Sequence, residues 1–170
     1  MQRHHAIGTK AEPLYTPDQR RRRDLSPWTV VQGVLAPLQF VAFIVCLLCV
    51  FYFLKTGNGY FAATASIIIK TLFLYAIMVT GAIWEKAVFG CYLFARAFFW
   101  EDLVSMLVIA LHTAYLGVLL LGWLSPIGLM LLALTAYAAY AVNAAQFLVK
   151  LRSARLQAAG LQASESGVAA

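Results

Sequence analysis

Apolar residues run through this chain in four long blocks, at 30–54, 60–83, 103–124 and 127–149, each 22 to 25 residues long. A helix of about 20 residues crosses the hydrocarbon layer of a bilayer. A helix apolar on every side must be surrounded by lipid or by protein. The pattern therefore predicts an all-α, integral membrane four-helix bundle. Residues 55–59 (KTGNG) read as a turn by their glycines, and Ser125-Pro126 closes a tight hairpin. Pro37 falls inside the first block, where a kink or an interfacial start is expected.

Polar segments frame the blocks. Residues 1–27 form an Arg-rich tail with Pro13, Pro17 and Pro27, expected to be disordered or interfacial. Residues 152–170, rich in Ala, Gln and Ser, are expected to be a flexible C-terminal tail. The membrane domain thus spans 28–151, with a connection at 84–102. No internal repeat is evident.

Composition strengthens this reading. The chain is 62% hydrophobic and 12% charged, with a mean hydropathy of +0.78, where soluble domains carry about a quarter charged residues. The net charge is +6, but the basic residues gather at the ends. Arg20, Arg21, Arg22 and Arg23 precede the first block, and Lys150, Arg152 and Arg155 follow the last. That placement is topogenic and gives no nucleic-acid groove, so no nucleic-acid partner is expected. The positive-inside rule puts both termini, and with them the 84–102 connection, on the cytoplasmic face. Membrane lipid is the expected surrounding. The Cys46–Cys49 pair has C-x-x-C spacing but lies within an apolar block, where cysteine acts as a small hydrophobe, as Cys91 would. The long polar N-terminus contains no early apolar core of a cleavable signal.

Candidate chemistry concentrates between 84 and 112. Glu85, Glu101 and Asp102 are three of seven acidic residues, and His112 is the one histidine outside the N-terminal tail. Glu101 and His112 are eleven residues apart, about 20° in helical phase, and Ser105 shares their face. Tyr140, Asn143 and Gln146 make a second polar stripe on the fourth block. Gln39, Lys70, His112 and Tyr137 all fall near the membrane midplane. Polar groups at that depth face a bundle interior or a cavity, although interhelical hydrogen bonding and lysine snorkelling account for them too. Neutral imidazole also ligates metals, including the central metal of tetrapyrroles. Trp84 and Trp100 suit an aromatic belt at the membrane interface.

Three stretches carry a family resemblance: RRRRDLSPWTVVQGVLAPLQF, ATASIIIKTLFLYAIMVTGAIWEKAVFGCYLFARAFFWEDLVSMLVIALHTAYL and AAYAVNAAQFLVKLRSARLQA. Together they resemble the 3-vinyl (bacterio)chlorophyllide hydratase family of bacteriochlorophyll biosynthesis, over residues 20–158. The resemblance implies a hydro-lyase that adds water to the C3-vinyl group of a chlorophyllide-type magnesium tetrapyrrole, giving a 1-hydroxyethyl group. Water is the co-substrate, no cofactor is implied, and the magnesium belongs to the substrate. It also implies a bacterial inner membrane, cytoplasmic or intracytoplasmic. Other pigment-biosynthesis enzymes and a second copy of the chain are open as partners. No residue roles come with the resemblance.

Chemistry suggests the roles. Protonating the terminal vinyl carbon calls for a carboxylic acid, and the attacking water calls for a base. Glu101 is expected as general acid, with Asp102 or Glu85 positioning water. His112 would ligate the substrate magnesium, Trp84, Phe98, Phe99 and Trp100 would pack on the ring, and Lys86 or Arg96 would hold the free propionate. Asn143 would line the same site. The alternative is a non-catalytic pigment-binding or assembly subunit, which uses the histidine and aromatics without needing the acids. A small transporter would be expected to show an inverted repeat.

Overall fold

The structure, a computed structural model, describes residues 14–168. Among these residues the chain is entirely helical: α1 (Pro17–Leu25), α2 (Pro27–Thr56), α3 (Tyr60–Phe89), α4 (Phe99–Leu121) and α5 (Pro126–Val168). Helices α2, α3, α4 and the first three-quarters of α5 are long and apolar enough to cross a membrane. This is a membrane protein by that measure. Large apolar side chains such as Val41, Leu48, Phe61, Val79 and Leu131 face outward. In water they would be a severe liability; in lipid they are solvated.

Local chemistry sets the ends. Glycines at 57, 90 and 122 stop α2, α3 and α4 in the left-handed conformation that glycine adopts without strain. Proline at the first position starts α1, α2 and α5, where its missing N–H costs nothing. Helix α2 runs through Pro37 as one helix and begins ten residues before it.

Two segments outside the membrane domain differ from expectation. Residues 1–13 of the N-terminal tail lie outside the described residues. Residues 14–25, also expected to be disordered or interfacial, are folded. The Thr16 hydroxyl accepts from the Gln19 N–H at 3.3 Å, and the Gln19 side chain accepts from the Thr16 N–H at 2.9 Å. This capping box satisfies two otherwise orphaned donors at the start of α1. Tyr15 is 4% exposed, packed on Phe89 and Phe98 under the Arg23 guanidinium. Burial pushes its phenol above the usual range, against the pull of Arg23. At the other end α5 continues to Val168, where a flexible tail was expected. Its Ala, Leu, Gln and Glu residues favour helix, and the Gln157 side chain accepts from the Leu14 N–H at 3.3 Å.

In the bundle α2 packs along α3 and α4 along α5, while contacts of α2 with α5 and α3 with α4 close it. Alanines at 63, 133 and 136 are buried and let backbones approach, as small residues do between membrane helices. One apolar cluster (Cys46, Val50, Ile67, Tyr115, Met130, Tyr137) fills the half nearer the α2–α3 turn. A smaller one, Tyr15, Val88 and Phe98, sits at the opposite rim beneath α1. The four midplane residues all point inward: Gln39, Lys70, His112 and Tyr137 are each 2% exposed or less. Lys70 therefore does not snorkel.

Candidate active site

The site lies at the rim where α3 ends and α4 begins. The span boundaries set its geometry, because α3 carries on to Phe89 and α4 starts at Phe99. Glu85 therefore sits in the last turn of α3, with Glu101 and Asp102 in the first turn of α4, where the positive helix end favours carboxylates.

Glu85 and Asp102 hold the connecting loop. The Phe94 N–H donates to Asp102 Oδ2 at 2.7 Å, and the next amide, Ala95, donates to Glu85 Oε2 at 3.2 Å. Phe94 adopts a left-handed backbone (φ 61°), alone among the described residues other than glycine. Successive amides flanking such a turn form a concave nest for anionic oxygens, and here two side chains fill it.

Glu101 faces a different way. Its Oε2 pairs with the Lys150 ammonium at 2.6 Å, on side chains 9% and 22% exposed respectively. Lys150 also donates to the Ala97 carbonyl and lies 5.0 Å over the Phe98 ring. Asn143 Nδ2 donates to the Glu101 carbonyl and to the Ser105 hydroxyl, both at 3.0 Å. The two polar stripes on α4 and α5 thus meet each other.

An open groove of about 650 Å³ runs beside this pair. One face of α5 lines it, from Val142 through Gln146, Lys150 and Ala154 to Gln157, with Glu101 and Leu14 completing the wall. That volume falls within the range of small-molecule sites. The lining is mostly apolar, and among the described residues Glu101 is the one carboxylate in it.

The other sequence candidates divide. His112 is on the same α4 face as Glu101 and Ser105, and all three are buried. Both its ring nitrogens are engaged: Nδ1 bonds the Val108 carbonyl at 2.8 Å, and Nε2 meets Lys70 Nζ at 3.1 Å. Lys70 lies 4.1 Å over the Tyr140 ring. Magnesium ligation by His112 would have to displace one of these partners. Phe98 is 2% exposed and, with Trp84, Phe89 and Phe147, supports the site from beneath. The Trp84 indole donates to Thr29 Oγ1 at 2.9 Å. Phe99 and Trp100 are exposed at the start of α4. Lys86 donates to the Gly90 carbonyl and lies against Tyr92. Lys86 and Arg96 are both exposed, and neither lines the groove. Among the described residues no cluster of His, Cys, Asp and Glu could hold a metal ion.

Lys150 was missed from sequence as anything beyond a topogenic charge. The signal was present: Tyr140, Asn143 and Gln146 continue at helical spacing to Lys150, Ser153 and Gln157.

These features define a class, a four-span membrane protein with an acid–base pair in the wall of an apolar groove at one rim. Comparison with known proteins narrows it. Residues 15–153 match the family described as 2-vinyl bacteriochlorophyllide hydratase (BCHF), and the chain belongs to that family. It is 66% identical over 147 residues to the 2-vinyl bacteriochlorophyllide hydratase of Rhodobacter capsulatus, covering 86% of this chain and 85% of the relative. It is 65% identical over 144 residues to the protein of the same name from Cereibacter sphaeroides, covering 84% and 89%. No solved structure matches.

Proposed function

We propose that this chain is a hydro-lyase that adds water to the vinyl substituent of a bacteriochlorophyllide, giving a 1-hydroxyethyl group, in the groove along α5. Family membership supports the reaction. The observation that carries the location is the Glu101–Lys150 pair in the groove wall. Among the described residues it is the charged pair that a bound apolar ring system would meet directly.

One carboxyl is enough for the chemistry. In the free groove Glu101 is the carboxylate of the Lys150 pair. It enters the reaction as the acid once it has taken up a proton under the bound macrocycle. It gives that proton to the terminal CH₂, leaving a cation on the carbon attached to the macrocycle, where the ring system delocalises it. The resulting carboxylate, steadied by Lys150, then takes a proton from the attacking water as the C–O bond forms. Glu101 ends as it began, and substrate plus one water equals product. This is general acid followed by general base by the same group. Lys150 favours the intermediate in which Glu101 is anionic, through a charge-assisted hydrogen bond. Asp102 and Glu85 serve the site indirectly in this reading, by fixing the loop that carries the Ala97 carbonyl to Lys150. The bacteriochlorophyllide brings its own magnesium as part of the substrate.

Both termini and the groove are assigned to the cytoplasmic face of a bacterial inner or intracytoplasmic photosynthetic membrane. The basic residues at the groove end, against Lys55 alone at the other, support that orientation. The test is Glu101→Gln in purified membranes given the vinyl substrate. Loss of the one-water mass gain, with normal insertion, is the expected result. Hydration at the wild-type rate would remove Glu101 from the reaction.

A further inference from the structure

A second, smaller pocket of about 30 Å³ adjoins the groove, lined by Tyr15, Arg20 and Arg23 together with Leu14, Ala154 and Gln157. The last three residues also line the groove, so the two spaces share a wall. We propose that the Arg20–Arg23 pocket is an anion subsite for the free carboxylate of the macrocycle bound in the groove.

The chemistry of the pocket selects a small oxyanion. Its volume admits about two water-sized groups, which matches the two oxygens of a carboxylate. Arg23 spends Nε and one Nη on Asp24, at 2.9 and 2.7 Å, so most of its five donors remain. Arg20 has no acidic partner among the described residues. The pocket is therefore net cationic, and guanidinium forks suit carboxylates. Tyr15, buried beneath Arg23, fixes that guanidinium from one side.

Spacing fits as well. The shared wall, Ala154 to Gln157, lies four to seven residues beyond Lys150 on α5, about 6 to 10 Å along its axis. In a bacteriochlorophyllide, the propionate and the vinyl group occupy different pyrrole-derived rings. A ring system whose vinyl group faces Glu101 can thus extend its acid toward α1. This assignment rests on the groove being the pigment site. It also gives the α1 capping box a purpose, because the cap sets the helix that presents both arginines.

The experiment measures binding of a chlorophyllide-type pigment and of its methyl ester, by absorbance titration of full-length protein in nanodiscs. Arg20→Gln/Arg23→Gln is expected to weaken the free acid about tenfold or more, the scale of a lost charge-assisted hydrogen bond, and to leave the ester unchanged. Arg21→Gln/Arg22→Gln removes the same tail charge from two exposed positions, so it controls for insertion and is expected to match wild type. Unchanged acid binding in the Arg20/Arg23 variant would overturn the subsite. So would equal losses for acid and ester confined to nanodiscs of anionic lipid, because the pocket would then hold a lipid headgroup. Ala145→Trp, which fills the groove, tests the underlying reading separately. If it leaves both ligands bound, the groove assignment itself fails.

Discussion

Replacing Lys150 with methionine removes the positive half of the Glu101 pair and keeps most of the side-chain volume. Lys150 makes three contacts: Glu101 Oε2 at 2.6 Å, the Ala97 carbonyl, and the face of Phe98. Removing one member of a fully buried pair costs about 3–5 kcal/mol, mostly through the charge left behind. Here the partners are 9% and 22% exposed beside an open groove, so water screens part of that charge. A loss of about 2–3 kcal/mol is expected, which for a chain of this size lowers the melting temperature by about 5–10 °C. Thermal unfolding in mild detergent reads it. Glu101→Gln should cost less, because its amide oxygen still accepts from Lys150. The double variant Glu101→Gln/Lys150→Met should recover at least about 1 kcal/mol relative to the sum of the single losses. Simple additivity across that cycle would refute the pairing, and with it the claim that Lys150 steadies the Glu101 carboxylate.

Three further outcomes follow from the same packing. His112→Leu should destabilise more than Lys70→Met, because the first strands a buried ammonium while the second replaces it with an apolar chain of similar size; the reverse order of melting temperatures would contradict the buried Lys70–His112 contact. Asp102→Ala, which removes the acceptor of the Phe94 N–H, should free the loop at Phe94, seen as faster proteolysis after Arg96, whereas Phe94→Gly should not, because glycine accepts the left-handed backbone; equal cleavage of both variants would argue against the carboxylate clamp. Cys91, in the rim loop, should react with an impermeant maleimide from the side where an N-terminal epitope is accessible, in a Cys46→Ser/Cys49→Ser background; labelling from the opposite side would refute the two-span path between the N-terminus and that loop.

Much of the fold was legible because lipid solvent leaves a simple signature. Four uninterrupted apolar blocks gave four spans, and the phase between Glu101, Ser105 and His112 correctly placed them on one buried face of α4. Sequence reasoning failed where long-range partners decide a residue's role. The acids at 84–102 read as one cluster, yet Asp102 and Glu85 turn to the loop while Glu101 turns to α5. Adjacent residues on a helix differ by about 100°, so 101 and 102 had to diverge, but only tertiary packing says toward what. His112 had the depth and the chemistry of a ligand. In this structure its own helix and Lys70 occupy both nitrogens. The helix at 17–25 is encoded in Thr16-Pro-Asp-Gln19, a capping pattern in a segment read only by its prolines and arginines.

The groove draws its walls from opposite ends of the chain, since Leu14 and Gln157 are hydrogen-bonded across 143 positions of sequence. A ribosome making this protein therefore releases the Gln157 wall 143 residues after the Leu14 wall. Until α5 has left the insertion machinery, three spans can sit in the bilayer without the groove that α5 lines. A chain stopped before α5 would carry three spans and no groove.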